Sequence, residues 1–180
     1  MTATGAIILS TMGSICMGVA ASAAGWARVP LMLGAGMLWL TLMSAAQYLR
    51  KRAIAPSEAE QKRVGRLVTY ASVGEGVAIF VGINIVINLG HPEWVNSVIA
   101  GVVGLHFIPL ARGLPAPPYY ATAVALVGAA ALGLTFTDLA LQRMVVFCAC
   151  ATILWATSAV VLLRVNARAG ASDTHDNSKV

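Results

Sequence analysis

The strongest constraint on this chain is a series of apolar runs, each about as long as the 17 to 25 residues a helix needs to cross a hydrocarbon core. They fall at about 5–24, 30–49, 67–89, 94–111, 119–136 and 139–163. Lipid cannot hydrogen-bond a backbone, so a run of this kind must satisfy its amides internally, as a helix does. The pattern predicts an all-α polytopic membrane protein, a bundle of six transmembrane helices, with residues 164–180 as a disordered cytoplasmic tail. Composition agrees: 58% of the residues are apolar and 11% charged, against about 25% charged in an average soluble domain.

The first run could be taken for a secretory signal, because Ala21-Ser22-Ala23-Ala24 resembles a cleavage region. It lacks the positively charged segment that precedes such signals, so it reads as an uncleaved first helix. The net charge of +5 does not point to nucleic acid, because the basic residues sit between apolar runs rather than along one face. The expected partner is the lipid bilayer. The longest polar connection, Arg50 to Arg66, carries six Lys/Arg against two Glu, which marks it as cytoplasmic. With six spans, both termini then lie in the cytoplasm, together with 10 of the 12 Lys/Arg. Within this loop Ser57 and Glu60 have the spacing of a capping box and predict a short surface helix from Ser57 to Arg66.

Small residues recur at i,i+4 along two runs: Ala6, Ser10, Ser14, Gly18 and Ser22 in the first, Ala121, Ala125, Ala129 and Gly133 in the fifth. Such rows let helix backbones approach closely in lipid. They predict a compact bundle that pairs as a homo-oligomer.

The functional lead is Glu75, Asn84, Asn88 and His106, all inside spans three and four. An ionisable residue within a span costs at least a few kcal/mol and marks a functional site by default. Glu75 lies roughly 12 Å and His106 roughly 8 Å from the cytoplasmic boundary at 1.5 Å per residue. Spans three and four are joined by the short break Gly90-His91-Pro92-Glu93, which makes them antiparallel neighbours and a Glu75–His106 contact feasible. Pro109 also frees the Leu105 carbonyl for a partner beside His106. Helical phase argues the other way. Ser97, Gly101 and Gly104 form the narrow face of span four, and His106 is about 200° from Gly104. Asn84 falls opposite Glu75, which implies two polar sites.

No catalytic site is expected. There is no second carboxylate within a span, no H-E-x-x-H and no hydrolase triad spacing. A haem would want a second histidine at suitable depth, whereas His91 lies in a turn and His175 in the tail. Cys16, Cys148 and Cys150 sit in apolar runs without metal-ligand spacing, so neither a metal nor another cofactor is expected. The segments GEGVAIFVGINIVINLG and GLHFIPLARGLPAPPYYAT, between Gly74 and Thr122, resemble a pattern in small bacterial multi-pass membrane proteins that carry no assigned function. The resemblance implies a bacterial inner membrane and no particular activity. Two functions fit these features. One is a proton-linked small-solute transporter or channel using a Glu/His pair; the other is an accessory membrane subunit whose polar residues serve packing.

Overall fold

The structure is a computed structural model that describes residues 3–52, 57–114 and 116–177. Among these are six helices: α1 (Ala3–Ala21), α2 (Arg28–Arg52), α3 (Glu58–Asn88), α4 (Val95–Gly113), α5 (Pro117–Gly133) and α6 (Leu139–Asn177). There is no strand among the described residues, and the protein is an all-α membrane bundle. Five helices are long and apolar enough to cross a membrane. The exception is α5, whose 17 residues reach about 26 Å at 1.5 Å per residue.

Local chemistry explains where the helices begin and end. The Ser57 hydroxyl accepts from the Glu60 amide at the start of α3. The expected surface helix is not separate, however: it runs unbroken into span three as one helix of 31 residues, because nothing between Glu58 and Leu67 is a proline or a second cap. At its other end Gly90 has φ +80°, and its amide bonds to the Ile87 carbonyl while the His91 amide bonds to Val86. This is a Schellman turn, and only glycine takes that backbone without strain. The Asp138 carboxylate caps α6 by accepting from the amides of Ala140 and Leu141. The same helix passes the expected boundary at Leu163 and continues to Asn177, so the tail is not irregular there. Alanines at 167, 169 and 171 favour helix, and no proline intervenes. Residues 178–180 of the tail lie outside the described residues.

The innermost packing is between α1 and α6. Along α1 the buried positions include Ala6, Ser10, Gly13, Met17 and Ala20, with Leu9 and Ala21 beside them, and the steps of four and three keep one face toward a neighbour. The predicted row does not hold. A strict i,i+4 row drifts about 40° per step at 3.6 residues per turn, so Ala6 and Ser10 are buried, Ser14 is half-buried and Ser22 is exposed. Gly18 has open space where a side chain would be. Gly13 is the close approach instead: a Cβ there would lie 2.8 Å from the Trp155 indole and 3.2 Å from the Ala151 carbonyl. The Trp155 indole donates to the Ser10 carbonyl at 3.2 Å and the Ser158 hydroxyl to the Ala6 carbonyl at 2.9 Å. Trp39 of α2 ties into the same helix by donating to the Thr11 hydroxyl.

Helix α5 shows the same drift. Ala121 and Ala125 are exposed, whereas Thr122, Leu126, Ala129 and Gly133 are buried. Its partner is α4: a Cβ on Gly104 would lie 3.0 Å from Leu126, Val127 and the Val127 amide. Fully buried Gln142 of α6 closes this end of the bundle by donating to the Gly133 carbonyl and accepting from Asn96.

Gly13→Leu is therefore expected to destabilise the bundle by about 1 to 3 kcal/mol, the usual range for overpacking a close contact. Gly18→Leu should leave stability nearly unchanged. Thermal unfolding of both variants in detergent, followed by circular dichroism, checks the contrast.

Candidate functional site

Helices α3 and α4 are held together by two close approaches, 15 residues apart on each helix. Near the α3–α4 turn, a Cβ on Gly82 would lie 2.7 Å from the Val98 side chain. At the other end Gly113 faces Leu67, again with no room for a side chain. The antiparallel register set by these contacts brings Ala71 and Glu75 of α3 against His106 of α4. The connecting turn is ordered by its own side chains: the His91 ring stacks on Trp94 with centroids 4.1 Å apart, and its Nδ1 lies 2.8 Å from the Glu93 carboxylate.

His106 Nδ1 is 3.4 Å from Glu75 Oε2 and 3.1 Å from the Ala71 carbonyl oxygen. The side chains are 10% and 24% exposed respectively, so the carboxylate reaches the edge of the helix pair while the imidazole is enclosed. Phe107 packs edge-on to the imidazole with centroids 5.8 Å apart. Because Ala71 and Glu75 are one turn apart, carbonyl and carboxylate flank the same ring nitrogen. An N–H there donates to the Ala71 carbonyl or, by a small swing of the ring, to the Glu75 carboxylate. The second ring nitrogen, Nε2, has no protein partner among the described residues.

The phase argument against this contact dissolves once the neighbours of α4 are known. The face carrying Ser97 and Gly104 packs on α5, as the contacts of Gly104 with Val127 and of Gly133 with Ser97 show. His106 stands on the other flank, toward α3. Nor does His106 hold the carbonyl freed by Pro109, because its ring reaches across to α3. Asn84 and Asn88 are not part of this site. Both are exposed, and the Asn84 amide donates to the Phe80 carbonyl of its own helix at 2.7 Å. They line a shallow depression with Phe80, Val81, Ile85 and Leu89, on the side of α3 away from α4.

Sequence reasoning missed the Ala71 carbonyl, which no side-chain pattern announces, although Gly82 and Gly113 carry the register that delivers it. It also missed a second polar line inside the bundle, where the Thr122 and Thr157 hydroxyls meet at 2.7 Å and the Ser97 hydroxyl is buried without a partner. Among the described residues, no three His, Cys, Asp or Glu side chains gather where they could hold a metal ion. Compared with protein-family models, curated proteins and solved structures, the chain matches none.

A double-mutant cycle with Glu75→Gln and His106→Gln should give a coupling of about 0.5 to 3 kcal/mol, the range for residues in contact. The cycle pairing Glu75→Gln with Asn84→Leu should give a coupling near zero. Unfolding of the single and double variants in detergent measures both.

Proposed function

We propose that this protein resides in a bacterial inner membrane with both termini cytoplasmic and conducts protons, alone or linked to a small solute, through Glu75 and His106. The observation that carries the reading is the placement of one imidazole nitrogen 3.4 Å from the only carboxylate within a span. Nε2 takes a proton, the imidazolium releases its Nδ1 proton to the Glu75 carboxylate, and Glu75 passes it on from its partly exposed edge. The low dielectric around the pair keeps both groups sensitive to each other's charge. No wide cavity is needed for a proton or a solute of a few atoms. The resemblance of residues 74–122 to small bacterial multi-pass proteins supports the location, and the basic loop at Arg50–Arg66 supports the orientation.

A second reading rests on a different distance. The Nδ1 atom is nearer the Ala71 carbonyl, at 3.1 Å, which suits a fastener between α3 and α4 in an accessory subunit that transports nothing. Proteoliposomes under a pH gradient separate the two. On the proton reading, Glu75→Gln abolishes the internal pH change seen with the unaltered protein while folding and yield persist. On the fastener reading, neither protein moves protons and Glu75→Gln alters only stability.

Orientation is checked by cysteine labelling in whole cells. Single cysteines at Ser57, Glu93 and Ser172 are expected to react with an impermeant reagent from outside only at Glu93. Labelling at Ser57 would invert the assignment.

A further inference from the structure

Helix α3 is the least covered of the long helices. Among the residues of its span 6% are buried, against 50% in α6, and its packing is chiefly on α4. The face turned away from α4 carries aromatic, β-branched and amide side chains. Tyr70, Val73, Val77, Phe80, Asn84 and Ile87 are all exposed and succeed one another by steps of three and four. This is the a/d repeat of a helix seam, sustained from the cytoplasmic boundary almost to the outer turn. Gly74 and Gly76 flank it with open space around them, so a second backbone can come close.

One member of the seam is polar. Asn84 lies roughly 8 Å inside the outer boundary at 1.5 Å per residue, and its amide makes one hydrogen bond, back to Phe80. Its carbonyl oxygen and second N–H have no partner among the described residues, and lipid supplies none. A covering helix must therefore bring an amide-compatible group at that depth. A second copy of this chain does so by symmetry. Two copies inserted the same way are related by an axis along the membrane normal, which sets α3 parallel to α3 and Asn84 opposite Asn84. A side-chain amide is donor and acceptor at once, so it pairs with itself.

We infer that the protein forms a homodimer through the outward face of α3, registered by Asn84 meeting Asn84 of the second copy. The interface lies opposite Glu75 and His106, so it does not rest on the proton reading, and loss of one leaves the other standing. It also moves self-association from the small-residue rows of α1 and α5 to α3.

Two full-length copies carrying different tags, expressed in one membrane, are expected to co-purify, and Asn84→Leu should weaken their association roughly three- to thirty-fold, the range for a hydrogen-bonding side chain between membrane helices. Single cysteines, in a chain with Cys16, Cys148 and Cys150 changed to alanine, are expected to cross-link at Val77→Cys and Phe80→Cys but not at the likewise exposed Ile85→Cys. Failure of the tagged copies to co-purify overturns the dimer. Equal cross-linking at Ile85→Cys, cross-links at Gly18→Cys or Ala125→Cys in place of those on α3, or unchanged association of Asn84→Leu overturns this interface.

Discussion

The structure depends on the absence of a hydrophobic drive between helices in lipid. A leucine gains little by leaving acyl chains for another helix, so packing must come from close backbone approach and from hydrogen bonds. The α1–α6 contact shows both. Gly13 admits the Trp155 ring against the α1 backbone, and Trp155 and Ser158 donate to the Ser10 and Ala6 carbonyls from the neighbouring helix. The Ser10 carbonyl also accepts from the Ser14 hydroxyl, so the Trp155 bond joins a shared acceptor there. Dispersion and hydrogen bonding act at the same few positions, and α2 is then fastened to this pair through Trp39 and Thr11.

Helix α4 carries the same logic to the other half of the bundle, with two neighbours instead of one. Its glycine-containing face accepts α5 at Gly104, and its other flank meets α3 through Val98 and Gly113. Dividing the helix in this way keeps His106 away from the tightest packing. An imidazole placed against Leu126 and Val127 would be buried without acceptors, at a cost of about 1 to 3 kcal/mol. On the α3 flank it finds the Ala71 carbonyl and the Glu75 carboxylate. The polar pair sits where one close approach ends and the next has not begun.

Much of this was legible in the residues. Apolar run length marks all six helices, and Ser57, Gly90 and Asp138 mark three of their ends through capping chemistry. The antiparallel pairing of α3 and α4 follows from a turn too short for any other arrangement, and with it comes the meeting of Glu75 and His106 across the pair. The faces were less legible. A strict i,i+4 row of small residues describes a stripe that winds away from any straight neighbour, so Ser22 and Ala125 end exposed. Gly13, which lies off that row, carries the contact. Phase within one helix also cannot tell which of several neighbours a face meets, and for that reason the narrow face of α4 argued wrongly against His106. The extension of α6 to Asn177 was missed because the loss of apolar character ends a membrane span but does not end a helix.

The position of α3 ties these points together. A helix with one main neighbour has few contacts to hold its rotation, and each polar residue on it therefore weighs more than the same residue in α6. Glu75 draws one face toward α4, where His106 and the Gly82 and Gly113 contacts set the register. Asn84, on the opposite face, rewards a second contact at a different depth. Rotation of α3 by a quarter turn would withdraw the carboxylate from His106 and turn Asn84 out of its seam together, since the two are nine residues apart on one rigid helix. The Gly82 and Gly113 contacts hold that rotation from the α4 side, so the Glu75–His106 contact does not depend on what covers the outward face.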